Sequence, residues 1–481
     1  MKKHLFRILG IVLCLSVFLG SLSLFSFLTV HKKSAYYFKP FLQNAGQYDV
    51  LFLGNSHMGD GVFPLQLWSE YGVAAYNCST PRRTIPVSYW NLVNALDYSS
   101  PKLVVFDCYN ISYPDKIANL STVHTNLDAF PLSFNKLRAA WDLGSDADGY
   151  SQVFDLIFPF SSFHSRWAEL TADDFAPPLN VDNGALRAIN VADVPPVEAP
   201  SAIEPMELDA SLPGVVYLRK LIETCASRDI SVLLTYLPFP ASPEHYQEAA
   251  AVRGIAEEYG VNYLNFLEMD VVDPATDYYD SFSHLNPSGG QRITAWLGNY
   301  IVQNYDLPRH TGDPAYAFLD QRLEESKQYR LRLVAEQSYL STYLLLLRDE
   351  ALSSVLHLPA GSALGQDAVG LALMEDISIG EKPALLRQAA ESGAEYLLVV
   401  DSAAGQIYEF VGEMPEGLKC SFGSLRFEND RLYIDGAEYA PAVTDSTATV
   451  LDCFVFDSAS GAHLGIDRSF VPGVDGFVIA Y

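Results

Sequence analysis

Basic residues are scarce in this chain: 31 Lys and Arg stand against 58 Asp and Glu, a formal charge of −27 over 481 residues. That shortage argues against nucleic acid as a partner, because phosphate binding needs a basic face. Cysteine is sparse as well, with six residues and no C-x-x-C pair, so zinc-ribbon and dithiol redox signatures are missing. Metal-ligand spacing is also absent: neither His357 nor His463 has a ligand-like neighbour pattern. The Asp146-Ala-Asp-Gly149 run begins like a calcium loop but lacks the remaining ligand positions. No metal and no cofactor is expected. Long apolar runs are lacking too, with a single exception at the amino terminus.

That exception runs uncharged from Ile8 to Val30, after Lys2, Lys3 and Arg7 and before His31-Lys32-Lys33. It is long enough to cross a bilayer as a helix. A secretory leader would have a shorter core and a small-x-small cleavage site, and Phe25-Ser-Phe-Leu-Thr-Val30 offers none. Residues 1–34 therefore read as a cytoplasmic tip and signal anchor, and the basic start favours an inside amino terminus. The chain beyond residue 34 is expected outside the cytoplasm. Of the five cysteines beyond the anchor, most are expected as buried free thiols, with a Cys420–Cys453 bridge left open.

The remainder is globular in composition, with 49% hydrophobic and 12% aromatic residues. From 45 to 305 strands and helices alternate, which implies a doubly wound, flavodoxin-like parallel sheet covered on both faces. Strands are expected at Val50 to Leu53, Val73 to Tyr76, Lys102 to Asp107, Ile230 to Tyr236 and Asn262 to Phe266. An insertion over about 111–213 is too long for a simple connection, and a cap over the crevice is one reading of it. Its Phe158-Pro-Phe-Ser-Ser-Phe-His-Ser-Arg-Trp167 stretch would make His164, Arg166 and Trp167 either substrate-facing or members of a packed aromatic cluster with an internal ion pair. Residues 313–350 read as a helical linker. Short apolar runs between Gly, Asp and Asn make 351–481 a small β-rich accessory domain without chemistry of its own. The leucine-rich end of the linker reads as core or as an interface.

Two stretches carry chemistry. Asp49-Val-Leu-Phe-Leu-Gly-Asn-Ser56-His57 ends a strand on Gly and presents a serine at its carboxyl end, where open α/β sheets bind ligands. Alone, this is equally an ordinary strand-to-helix turn. Asp277-Tyr-Tyr-Asp280-Ser-Phe-Ser-His284-Leu-Asn-Pro follows the fifth strand and opens the last helix of the sheet domain. A serine hydroxyl needs a neighbouring imidazole to take its proton, and the imidazole needs a carboxylate to fix its tautomer. Ser56, His284 and Asp280 supply those three groups.

The Gly54-Asn-Ser-His57 and Asp280…Ser-His284-Leu-Asn-Pro-Ser-Gly motifs resemble the SGNH/GDSL hydrolase superfamily, and more narrowly its membrane-anchored DltD-like and AlgX/AlgJ-like bacterial cell-surface branch. The resemblance covers about 45–305. It implies an SGNH-type fold with Ser56 as nucleophile, His284 as general base and Asp280 as orienter. The pattern departs in three places. The usual aspartate position, three before the histidine, is Ser281. The second motif lacks its glycine in Asn77-Cys-Ser-Thr-Pro-Arg-Arg83, and Asp107-Cys-Tyr-Asn110 replaces Gly-x-Asn-Asp. Asn77 and Asn110 are the candidate oxyanion donors, and His57 is structural or substrate-facing. The function so implied is a serine esterase or O-acyltransferase acting on acyl esters of cell-surface polysaccharide or teichoic acid, beside a membrane-embedded acyltransferase. The alternative is a catalytically impaired binding or assembly protein of the same system.

Overall fold

The computed structural model describes residues 2–29, 32–145, 152–175, 180–192, 194–195, 200–282, 284–377, 382–441, 449–473 and 476–479. The Asp146–Gly149 run lies outside the described residues. The first helix spans Lys2–Leu28. Its Lys3–Ser26 stretch is long and apolar enough to cross a membrane.

The chain divides into two compact units, of which the first comprises Met1–Leu186, Val197–Val271 and Gln291–Leu323. Its centre is a five-stranded parallel sheet of β1 (Val50–Leu53), β2 (Ala75–Asn77), β3 (Leu103–Asp107), β4 (Ser231–Tyr236) and β5 (Asn262–Asn265), in the order β2-β1-β3-β4-β5. This is the doubly wound order expected from the alternation. All four side chains of β1 are fully buried, as a strand covered on both faces requires. Val50 pairs with Ala75 on one side and Leu103 on the other, so the order reverses at β1. The crevice outside the carboxyl ends of β1 and β3 is therefore the topological switch point.

Proline opens the covering helices Pro64–Tyr71, Pro213–Ala226 and Pro243–Tyr259, where its missing N–H costs nothing. Gly72 and Gly260 close two of them in left-handed geometry, at φ 66° and 65°. Between β3 and β4 lies a helical insertion whose longest pieces before Pro213 are Leu120–Leu127 and Phe134–Gly144. It returns to the sheet at Asn180–Leu186. There Asn183 accepts from Asn77 N at 2.9 Å and gives its Nδ2 to the Ala75 carbonyl at 3.2 Å.

The second unit comprises Arg187–Pro196, Val272–Gly290 and Glu324–Tyr481. Two antiparallel sheets form it. One holds β6 (Leu352–Leu358), β7 (Tyr396–Asp401), β8 (Gln406–Val411), β13 (Leu451–Asp457), β14 (Arg468–Gly473) and β15 (Gly476–Ile479), in the order β15-β14-β13-β6-β7-β8. The other runs β12-β11-β10-β9, from β9 (Leu418–Cys420), β10 (Gly423–Glu428), β11 (Arg431–Ile434) and β12 (Ala437–Tyr439). Val355, Leu397 and Phe454 of the first sheet share an apolar core with Leu425, Leu432 and Ile434 of the second. The leucine-rich helix Leu340–Leu347 is buried in this unit's larger core, so its apolar run is packing. All six cysteines are free thiols, Cys420 and Cys453 included.

Candidate active site

β1 ends at Leu53, and Gly54 carries the chain into the short helix Ser56–Gly61. Gly54 is required by crowding: a Cβ there would lie 2.7 Å from the Met58 Cβ and 3.0 Å from the Asp107 Cβ. Asn55 caps the helix, its Oδ1 accepting from His57 N at 2.9 Å. From Val50 to Leu65 every residue is buried except Ser56, which is half-exposed. The turn thus hides its neighbours and presents one hydroxyl-bearing residue.

Beneath it the polar groups are tightly committed. Asn77 donates both Nδ2 hydrogens, to the Met58 carbonyl at 2.8 Å and the Val62 carbonyl at 3.0 Å, and its Oδ1 accepts from Ser79 N at 3.1 Å. Asn77, expected as an oxyanion donor, here braces the segment after Ser56 with both of its amide hydrogens. Arg83, read from sequence only as part of a motif without its glycine, is buried and donates Nε to the Gly54 carbonyl at 2.9 Å. Its Nη1 reaches the Cys78 carbonyl at 2.7 Å and Asn126 Oδ1 at 2.9 Å. Burial lowers its pKa to about 9. Asp107, at the end of β3, accepts from Leu237 N at 3.0 Å. Burial outweighs its backbone hydrogen bonds and lifts its carboxyl to about 7.

His57 is 3% exposed, with its ring centroid 4.0 Å from Tyr109 and 4.9 Å from Phe239. Of the two roles expected for it, the structural one fits: the imidazole is packed among aromatic rings. Asn110 is exposed in left-handed backbone, at φ 64°. In the insertion, Trp167 is 69% exposed and Arg166 pairs with Asp174, while His164 Nδ1 lies 3.1 Å from the Ser161 carbonyl.

The histidine loop belongs to the second unit. His284 Nδ1 lies 2.5 Å from Asp280 Oδ2, while Asp280 Oδ1 accepts from the backbone N–H groups of Phe282 at 3.0 Å and His284 at 3.1 Å. The carboxylate thus fixes both ring and backbone of its partner. The base of the loop is pinned by Asn286, whose Nδ2 has the Thr276 carbonyl at 2.7 Å and the Asn190 carbonyl at 3.1 Å. Asp277 is fully buried: it accepts from Ser288 Oγ at 2.6 Å and Asp273 N at 2.8 Å, and Arg348 lies 3.8 Å away. Its carboxylate holds the loop in place, which leaves Asp280 as the partner of His284.

Among the described residues, His357, Glu395 and Asp430 are close enough to share a metal ion. Their geometry is already explained without one. His357 Nε2 lies 3.1 Å from Glu395 Oε1, and its Nδ1 lies 3.5 Å from Asp452 Oδ2. Burial alone would lower its pKa, but the flanking carboxylates outweigh that and raise it. The ring is held between carboxylates on both of its nitrogen sides.

No protein-family model and no curated protein matches the chain. Two similar solved structures are a proposed acylhydrolase from Bacteroides fragilis and a GDSL-like lipase from Bacteroides thetaiotaomicron. The first is 12% identical with a TM-score of 0.28 and covers 55% of this chain and 96% of its own. The second is 13% identical, also at 0.28, and covers 56% and 100%. Strand order and connectivity, not these superpositions, define the fold.

Proposed function

We propose that this chain is an SGNH/GDSL-type serine esterase or O-acyltransferase, with Ser56 as nucleophile, His284 as general base and Asp280 as the group that orients it. The observation that carries the reading is the 2.5 Å contact of Asp280 Oδ2 with His284 Nδ1, on a loop opening a helix. In this reading Asp280 holds the proton on Nδ1, so that Nε2 is the nitrogen that serves as base. Support also comes from Ser56, the half-exposed residue of an otherwise buried turn at the switch point. In this mechanism Ser56 Oγ attacks the acyl carbon as its proton passes to His284 Nε2. Collapse of the tetrahedral intermediate expels the alcohol, which takes that proton, and leaves an acyl-serine. Water or a sugar hydroxyl, deprotonated by the same imidazole, then attacks the acyl carbon, and Ser56 Oγ leaves with that proton as the acyl group is released. Asn110 is the side-chain donor proposed for the oxyanion.

The length of the apolar first helix supports a single-pass anchor. The proposed orientation, amino terminus inside and the rest of the chain outside the cytoplasm, is argued from the basic residues ahead of the helix. The proposed substrates are acyl esters of cell-surface polysaccharide or teichoic acid, and the proposed partner is a membrane-embedded acyltransferase. A fluorophosphonate probe tests the chemistry: wild type should label, and Ser56→Ala should not. Equal labelling of the two, or none of wild type, sinks the enzyme reading. One observation favours a second reading, a binding or assembly protein that has lost catalysis. The Asn77 amide is fully engaged on backbone groups, and a missing oxyanion donor typically costs a hundredfold or more in rate.

A further inference from the structure

Large apolar side chains exposed outside the first helix gather in the insertion between β3 and β4. On the helix Phe134–Gly144, Phe134, Leu137 and Trp141 are 75%, 40% and 69% exposed. Their spacing of three and four residues puts them on one stripe. The opposite stripe is satisfied by the protein: Lys136, Ala139, Ala140 and Leu143 are buried. Phe154, Trp167 and Phe175, further along the insertion, are 56%, 69% and 66% exposed. A water-facing surface would not collect these residues, because apolar patches of this kind mark a covering partner.

The same segment is fastened at one place to the foot of the first helix and at another to the helix that follows it. Phe160 packs in a tilted pair on Phe25 at 5.5 Å between centroids, and its N–H points to Ser26 Oγ at 3.4 Å. Phe130 packs on Phe38 of the helix Lys32–Gln43 at 5.4 Å, and Ala129 N donates to Ser34 Oγ at 2.9 Å. In the chain, the exposed aromatic stripe therefore lies between a point tied to the helix Lys32–Gln43 and a point tied to the end of the apolar, membrane-length helix.

We propose that this face of the insertion rests in the lipid interface, with Phe134, Leu137 and Trp141 as its main anchors and Trp167, exposed further along the insertion, as another. Tryptophan and phenylalanine at that depth bury apolar area while the indole N–H stays among headgroups. The inference rests on the single-pass anchor proposed for the first helix and is independent of the serine chemistry. It would hold the domain against the bilayer instead of letting it swing on its tether.

The test uses the full chain in phospholipid vesicles and reads tryptophan fluorescence with a lipid-borne doxyl quencher and with aqueous iodide. The doxyl lipid should quench wild type, and Trp141→Phe/Trp167→Phe should lose at least half of that quenching. In wild type those two indoles should be at least threefold less sensitive to iodide than when exposed to water. A variant quenched by doxyl lipid as strongly as wild type, or iodide reaching both indoles freely, overturns the proposal. A Phe134→Glu/Trp141→Glu variant, altered only at exposed positions, should fold normally yet show raised iodide access to Trp167. Unchanged access overturns the proposal as well. Loss of the whole chain from vesicles after an alkaline wash would overturn the anchor and this inference together. Retention with free iodide access would overturn the inference alone. Neither outcome bears on fluorophosphonate labelling.

Discussion

Asp280 reaches His284 across a single turn, Oδ2 to Nδ1 at 2.5 Å, while Asp277 is turned inward to Ser288 and Arg348. Two aspartates three positions apart thus have separable roles. Asp280→Asn should lower ester turnover by about four orders of magnitude, because an amide no longer favours the catalytic tautomer. Its thermal midpoint should barely move. Asp277→Asn should do the reverse: it disturbs a buried pair with Arg348, costing about 3 kcal/mol, while the turnover of the molecules that remain folded stays near wild type. Urea denaturation beside a p-nitrophenyl ester assay separates the two. A large rate loss in Asp277→Asn with unchanged stability would reassign the orienting carboxylate.

Gly54→Ala probes the turn that presents Ser56. The added methyl would meet the Cβ atoms of Met58 and Asp107 at 2.7 and 3.0 Å, neither of which is the free end of a flexible chain. Overpacking of this kind costs about 1–3 kcal/mol, and the relief available is a shift of the helix that starts at Ser56. A displacement of an ångström can cost about a hundredfold in rate, so fluorophosphonate labelling should slow by that order. Gly254, with nothing within 4 Å of a built Cβ, supplies the control. Within the helix Pro243–Tyr259, Gly254→Ala should stabilise by about 1 kcal/mol.

Asn77→Ala removes three hydrogen bonds at once and leaves the Met58 and Val62 carbonyls buried without that partner. Each such loss costs about 1–3 kcal/mol, so the variant should be strongly destabilised by denaturant titration. An oxyanion donor would behave otherwise, with kcat falling and stability kept. Asn77→Ala with wild-type stability and a hundredfold lower kcat would restore the catalytic role to this residue.

What could be read from the sequence was local. Val50–Leu53 is an unbroken apolar run, so its burial on both faces and its place in a parallel sheet follow from four adjacent residues. Asp280 and His284 are four residues apart on one loop, close enough for spacing to indicate the pairing. The rest depends on distant chain segments. Asn180 to Gly184 lies inside the long insertion, and nothing in its residues shows that it docks on β2. There Gly184 sits at φ 90°, where a Cβ would lie 1.9 Å from the Asn77 carbonyl oxygen. The role of Asn77 was hidden for the same reason, since its acceptors exist only after the Ser56 helix has folded above it. His357 showed no ligand-like neighbours because Glu395 and Asp452 come from other parts of the second unit's chain.

Asp107 yields a pH prediction whose sign can be worked out. Its carboxyl is buried at the end of β3 and raised to about 7, chiefly by burial, from an ordinary value of 3.8. Below pH 3.8 the native and unfolded chains both hold its proton, and the group adds no pH dependence. Between there and pH 7 the native state keeps a proton that the unfolded state has released. Stability from this group therefore falls as pH rises, by about 1.4 kcal/mol for each pH unit of that window. Above 7 both states are ionised and the loss is complete. Asp107→Asn keeps an oxygen for the Leu237 N–H, 3.0 Å away, and removes the titration. The variant should match wild type near pH 4 and become more stable than it as pH rises, levelling off above pH 7. Urea denaturation of both proteins at pH 4.5, 6, 7.5 and 8.5 measures the divergence. Parallel stability profiles would mean that Asp107 is already ionised in the native protein at acid pH.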